Sequence, residues 1–142
     1  MSEAEGRIIE WLTEEAIHTD WLEAIPYAGG SQKITYETDE FSAVCPFSGL
    51  PDYGRLVIQY VPGKFLVELK SLKYYIVSFR RVGIYQENAL IRIYRDVQAL
   101  LKPRYLKVTL EYNLRGGIRS LCEKASAPGK ILEEILHPAP EH

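Results

Sequence analysis

Residues 106–123 read LKVTLEYNLRGGIRSLCE. Leu106, Val108, Leu110, Tyr112 and Leu114 alternate strictly with Lys107, Thr109, Glu111 and Asn113, the two-residue period of a strand with one buried face. Gly116-Gly117 supplies a tight turn and Ile118 to Glu123 returns, so the stretch predicts an antiparallel hairpin. Towards the N-terminus, Leu90, Ile93, Tyr94, Val97, Leu100 and Leu101 recur at helical spacing until Pro103 forbids continuation. Glu68 to Phe79 carries a similar stripe of Leu69, Leu72, Ile76 and Phe79, broken by Gly83. Gln32 to Thr38 alternates with Ile34, Tyr36 and Thr38 on one side, and Arg55 to Val61 forms a further strand closed by Pro62 and Gly63. Between them CPFSGLPDYG, residues 45–54, predicts a stiff loop.

The order strand, strand, helix, helix, strand, strand predicts an α+β fold, a four-stranded antiparallel sheet with two helices on one face. A helical arm is expected from Ser2 to about Ala24, with Ser2 and Glu5 in capping-box spacing and Ile9, Leu12 and Ala16 on one stripe. The tail after Ala125 is proline-rich, with one helical turn expected at Ile131 to Leu136. The organisation expected is an arm over 1–28, a domain over 29–125 and a tail over 126–142. Such a sheet leaves exposed edges, and closing them against neighbouring subunits makes a ring oligomer plausible.

The 142 residues are 46% hydrophobic and 25% charged, as expected of one globular domain. A domain of this size buries roughly 68 to 70% of its unfolded surface, enough for a core without disulfides or metal staples. With 17 basic and 19 acidic residues there is no global field for holding a polyanion, so no direct nucleic-acid binding is expected. No apolar run is long enough for a membrane span, and Glu3, Glu5 and Glu10 stand where a signal peptide carries positive charge, so a cytoplasmic protein is expected. The three histidines, His18, His137 and His142, lie near the termini, which leaves the middle of the chain without an imidazole base or a zinc-ligand pattern.

Cys45 stands before Pro46 on the glycine-rich loop, and Asp52 follows seven residues later. A nucleophilic thiolate paired with a proton-carrying carboxyl is one reading; a buried structural cysteine and a turn aspartate is the other. Lys70 and Lys73 stand one helical turn apart with Ser71 between them, and Arg115 with Gly116 and Gly117 adds a cation and close backbone approach. These residues suit nucleotide phosphates, or else form a solvated helix face and a plain hairpin turn. Glu87 is placed to accept two hydrogen bonds from a purine-like amidine edge, or simply to favour a helix N-terminus. Cys122 shares the alternation of Ile118 and is expected in the core.

Taken together, FSAVCPFSGLPDYG (41–54), ELKSLKYY (68–75), IVSFR (76–80), the Glu of YQEN (85–88), KPRYLKV (102–108) and RGGI (115–118) resemble the NADPH-dependent 7-cyano-7-deazaguanine reductases, the QueF nitrile reductases of queuosine tRNA modification. Residues 68–75 meet the family signature in full. The resemblance implies a tunnel fold whose subunits close into rings, pentamers stacked into a decamer, with active sites between subunits. It implies that Cys45 adds to the nitrile as a thioimide, that Asp52 supplies protons, and that Glu87 anchors the deazaguanine, with Gln86, Ser71 and Glu68 also at the substrate. Lys70, Ser71, Lys73, Arg115 and Gly116 are implied at the NADPH site, and no metal is implied. Many members carry His before the anchoring Glu, whereas Gln86 stands here, able to donate and accept hydrogen bonds but not to carry a proton at neutral pH. Two other readings fit the same pocket: an amidine-forming relative acting on a nitrile carried by tRNA, and a purine-binding ring without turnover.

Overall fold

The computed structural model describes residues 6–7 and 9–138. In chain order the elements are β1 (Ala24–Pro26), β2 (Ile34–Val44), β3 (Pro51–Val61), β4 (Phe65–Val67), α1 (Leu69–Val77), α2 (Gln86–Leu101), β5 (Tyr105–Arg115), β6 (Ile118–Ala125) and α3 (Gly129–Leu136). The main sheet is antiparallel throughout in the order β2-β3-β5-β6, and β1 pairs with β4 in a separate ribbon. The α+β architecture expected from the alternation is the one observed.

One face of the sheet carries the core. Leu56, Ile58 and Tyr60 of β3 and Leu106, Val108, Leu110 and Tyr112 of β5 are buried in a single cluster with Leu72, Tyr75, Phe79, Leu90, Ile93 and Val97 from the helical side. Because side chains in a strand alternate, the even-numbered positions of β3 from Leu56 and of β5 as far as Tyr112 point at the helices. The strand β2 starts on the same parity, with Ile34 and Tyr36 packed against the core, but a register shift between Thr38 and Phe41 changes it. Beyond that bulge the odd-numbered Phe41 and Ala43 are fully buried.

The helix α1 starts at Glu68, whose carboxylate accepts the Ser71 amide at 2.7 Å while the Ser71 hydroxyl donates to the Glu68 carbonyl at 2.7 Å. The helix α2 ends where expected: Lys102 takes a left-handed φ of 44° directly before Pro103. Asp96 ties three segments together, its Oδ2 accepting from Tyr75 Oη at 2.6 Å, Thr19 Oγ1 at 2.9 Å and Arg92 Nε at 2.9 Å. Among the described residues no helix is long and apolar enough to cross a membrane.

Several expectations are corrected. Over the described part of the expected arm there is no α-helix; Glu14–Ala16 and Thr19–Trp21 form short 3₁₀ turns and β1 follows. Ser2 and Glu5 lie outside the described residues. The physical reason is tertiary pairing, which outweighs local propensity. The Ile9 amide donates to the Ser48 carbonyl at 2.9 Å, the Leu12 amide to Arg81 at 2.7 Å, and Leu12 accepts from Gly83 at 2.8 Å. Ile17 and Leu22 enter the core, while Ile9 and Leu12 of the expected stripe stay exposed. The loop expected over 45–54 is shorter, because residues 51–54 pair with β2, and Gly54 also with β5, which extends β3. The turn expected near Ile131 is a full two-turn helix, α3.

Gly49 has a φ of +72°, and a Cβ built there would lie 1.8 Å from the Ile9 carbonyl oxygen. Gly49→Ala is therefore expected to lower stability by about 1–3 kcal/mol. The measurement is chemical denaturation, with a fall in midpoint at unchanged slope; a wild-type midpoint would show that the N-terminal segment does not press on this turn.

Candidate active site

Two bulges build the site at one end of the core face. The first, in β2, puts the odd-numbered positions 41 and 43 inward, so that Cys45 follows on the same side of the chain. The second lies between Tyr112 and Arg115 in β5. It swings an odd-numbered residue onto the even-numbered face: the Arg115 guanidinium carbon sits 4.9 Å from the centroid of the Tyr112 ring. Asp52 faces the same way without a bulge, since it pairs with Ala43 and shares the parity of Leu56 and Ile58.

Cys45 opens a tight turn. Its amide donates to Leu50 O at 2.9 Å, and its carbonyl accepts the Gly49 amide at 2.8 Å. The Phe47 amide, turned towards the sulfur, is the largest influence and draws the thiol below its ordinary pKa; partial burial opposes this, the amide and hydroxyl of Ser48 assist, and the charge of Asp52 opposes. The turn is braced from outside by the Ile9–Ser48 bond and by Trp11, whose indole fills the space where a Cβ on Gly83 would stand. Gly83 in turn bridges to Val44, the residue before Cys45.

Asp52 is 15% exposed and lies 3.8 Å from Arg115 Nη1. Burial pushes its carboxyl above the ordinary value, and Arg115 partly offsets the rise. The first turn of α2 delivers Gln86 and Glu87 to the same end. Gln86 is buried: its Nε2 donates to the carbonyls of Leu110 at 2.9 Å and Ser120 at 3.1 Å, and its Oε1 accepts from Ser120 Oγ at 2.7 Å and Arg115 Nη2 at 3.1 Å. Glu87 is exposed and acts electrostatically on Tyr112 and Cys122. Gly116, with a φ of +58°, turns the chain immediately after Arg115.

Cys45, Asp52, Gln86, Glu87 and Arg115 thus gather at one end of one sheet face. The remaining candidates do not join them within the chain. Glu68, Lys70 and Ser71 line a cleft with Asp20, Trp21 and Tyr74, and Lys73 lines a separate cavity of about 250 Å³ with Tyr36, Ile58 and Arg80. None of these four shares a hydrogen bond or ion pair with the Cys45 group among the described residues.

Two members of the site escape a reading of the sequence. Tyr112 reads as one more apolar position in an alternating strand, yet its buried hydroxyl has no hydrogen-bond partner among the described residues. Its ring lies over Gly54, where a Cβ would meet it at 2.6 Å, and Asp52, Arg115, Cys122 and Glu87 surround it electrostatically. Ser120 is the other, an unremarkable strand serine by pattern. Cys122 packs against the core as expected and also borders the site, its thiol raised by burial and by Glu87 against the pull of Arg115.

A family model described as QueF-like protein matches residues 51–128. The NADPH-dependent 7-cyano-7-deazaguanine reductases of Thermotoga petrophila and Thermotoga maritima are each 57% identical over 136 residues, covering 95% of this chain and 99% of theirs. The enzyme of that name from Caldicellulosiruptor bescii is 52% identical over 106 residues, 73% of this chain and 81% of its own. Among solved structures, an archaeosine synthase QueF-Like in the apo form superposes with a TM-score of 0.60 at 21% identity, covering 70% of this chain and 96% of that one. At that identity the likeness concerns the fold alone, and it agrees with the tunnel fold expected from the sequence.

The two cysteines are expected to separate in pH-resolved alkylation followed by peptide mass mapping. Only the thiolate reacts, so Cys45 should be modified with a midpoint below the ordinary thiol value of 9.0 and Cys122 with a midpoint above it. Coincident midpoints, or Cys122 reacting at the lower pH, would contradict the turn as a thiolate-stabilising device.

Proposed function

This chain belongs to the QueF-like family, and on that premise we propose that it reduces the nitrile of 7-cyano-7-deazaguanine to a primary amine with NADPH. One observation carries the reading: a thiol whose pKa is lowered by the amides of its own turn stands at the same end of the core face as a carboxyl whose pKa is raised by burial. The two shifts suit two roles. The Cys45 thiolate attacks the nitrile carbon, forming a C–S bond as the C≡N π pair moves to nitrogen. Asp52, which holds its proton to higher pH than an ordinary carboxyl, delivers that proton to the nitrogen and completes the thioimide. Glu87 accepts from the amidine edge of the heterocycle, and its exposure at the helix start leaves it free to do so.

Two NADPH molecules, bound in succession, would each supply one hydride of the four-electron reduction. Lys70 and Lys73 fit the cofactor's phosphates: both are exposed, one turn apart, and neither has a carboxylate within 4.0 Å among the described residues. Arg115 and Gly116 stand at the substrate end and complete the cofactor site there.

The separation of the α1 residues from Cys45 within one chain supports a further part of the reading. The site is completed between subunits, with α1 of one copy meeting the Cys45 end of its neighbour in a homo-oligomeric ring. Among the described residues β2, apart from the bridge at Val44, and β6 have no further strand beside them, so both edges can pair across that junction. The ring works in the cytoplasm, where the nitrile and NADPH are both dissolved.

Adding 7-cyano-7-deazaguanine without reductant is expected to produce a thioimide absorbance band, and adding NADPH should discharge it. Cys45→Ala abolishes the band; Asp52→Asn slows reduction by about 100-fold or more. Retained NADPH oxidation in Cys45→Ala, or amidine formation on nitrile-bearing tRNA in its place, would overturn the assignment. Mixing Cys45→Ala with a Lys70→Ala, Lys73→Ala double variant under exchange conditions should restore a fraction of the activity that neither has alone. No recovery in exchanged hetero-oligomers would place the whole site in one chain.

A further inference from the structure

We infer that Gln86 is a positioning residue: its carboxamide, sealed inside the fold, holds the Arg115 guanidinium against Asp52 and so governs when that carboxyl carries a proton. The inference rests on the proton-donor role given to Asp52 above and explains what a glutamine does there. Gln86 is 3% exposed, and its four hydrogen bonds occupy both amide protons and both lone pairs of the oxygen. Nothing on that side chain is left over for a ligand. The orientation of the amide follows from chemistry, because a guanidinium only donates and the atom facing Arg115 must be the oxygen.

The hold on Arg115 is a closed three-membered ring of contacts. Arg115 Nη2 donates to Gln86 Oε1 at 3.1 Å and to Ser120 Oγ at 2.9 Å, and Ser120 Oγ donates to Gln86 Oε1 at 2.7 Å. The Tyr112 ring supports the guanidinium from a third direction. With Nη2 fixed, Nη1 points at Asp52 Oδ1 at 3.8 Å, too long for a direct hydrogen bond and therefore dependent on where the guanidinium is kept. Arg115 is 47% exposed, and a side chain of that length released from Gln86 and Ser120 would disperse into solvent. The bonds from Nε2 to Leu110 and Ser120 fasten the carboxamide to β5 and β6, so the anchor does not move with the arginine.

The charged and titratable groups that act on or feel Asp52 are Arg115 and Tyr112 from β5 and Cys45 from the turn after β2, and Glu87 of α2 and Cys122 of β6 act in turn on Tyr112. Arg115 is the one cation among them and pulls the Asp52 pKa down, against burial. Loosening the arginine therefore lets Asp52 keep its proton to higher pH. A carboxamide neither gains nor loses a proton across the working range, so this hold is constant with pH, as an imidazole in its place would not be.

The test is a carbon-13 NMR titration of aspartate carboxyl carbons, with the Asp52 signal identified by its loss in Asp52→Asn. Both Gln86→Met, which keeps the bulk and removes the amide, and Ser120→Ala, which removes one arm of the contact ring, should shift the Asp52 midpoint to higher pH. Arg115→Ala should shift it in the same direction, and adding Gln86→Met to Arg115→Ala should shift it no further. If Gln86→Met does not fold, Ser120→Ala at its partly exposed strand position decides the matter. An unmoved Asp52 midpoint in folded Ser120→Ala, or an additive shift in the double variant, would overturn the inference. The titration uses neither nitrile nor NADPH, so its outcome is separate from the failure of a thioimide band to form.

Discussion

The site depends on the parity of a one-sided sheet. With a single buried face, a strand residue either points at the helices or at the outer surface, and its number decides which. Asp52 inherits the correct side from the uninterrupted parity of β3. Cys45 and Arg115 do not, and each is brought over by one bulge in an edge or penultimate strand. A bulge inserts one residue and inverts everything beyond it, so the smallest possible change in backbone gathers a thiol, a carboxyl and a cation at one end of one face. Removing the β5 bulge would leave the hydrophobic core largely in place, whereas removing that of β2 would also turn Phe41 and Ala43 outward; either loss would scatter the chemistry across two surfaces.

What the sequence made legible follows the same logic. The alternation of Leu106 to Tyr112 and the three-four spacing of Leu90 to Leu101 are periodic over many residues, and both elements lie where that periodicity puts them. Periodicity is blind to bulges. Leu114 belongs to the apolar series by count but is 69% exposed, because the register has already shifted before it. The segment before Ala24 fails for a different reason: its helical pattern is short, and its amides find partners at Ser48 and Arg81, more than thirty residues away. From spacing and turn formers alone, Cys45 and Asp52 could be read either as a thiolate with a proton carrier or as a structural cysteine with a turn aspartate, and only the family resemblance favoured the first. Tyr112 and Ser120 were not, since a phenol in an apolar stripe and a serine in a strand carry no local signature of what faces them.

The turn at Cys45 lowers the pKa of a thiol through backbone amides, without an imidazole or lysine among the causes. Amide groups from the two residues that follow the proline supply the partial positive charge, and they do so only while the turn keeps its shape. That shape is enforced on one side by Gly49, whose left-handed backbone and missing Cβ admit the Ile9 carbonyl, and on the other by Gly83 under the Trp11 ring. The N-terminal segment is therefore a brace on the Cys45 turn. Its packing against the turn explains why a stretch outside the matched family region 51–128 still bears on the chemistry.

The same end of the sheet places opposing demands on Asp52. A carboxyl that is to hold its proton to higher pH needs burial without a strong counter-charge, yet a buried carboxylate that loses its proton needs a cation nearby to stay tolerable. Contact at 3.8 Å from Nη1, short of a hydrogen bond, satisfies both: Arg115 stabilises the ionised form without fixing it. Such an intermediate distance is not a property of the pair itself, because an unrestrained guanidinium would either close to a bidentate contact or leave for solvent. It is set from behind, by the oxygens of Gln86 and Ser120 and the face of Tyr112, and these three residues come from α2, β6 and β5. The proton affinity of one carboxyl thus depends on the docking of a helix against a hairpin, which is why the site needs the whole fold behind it.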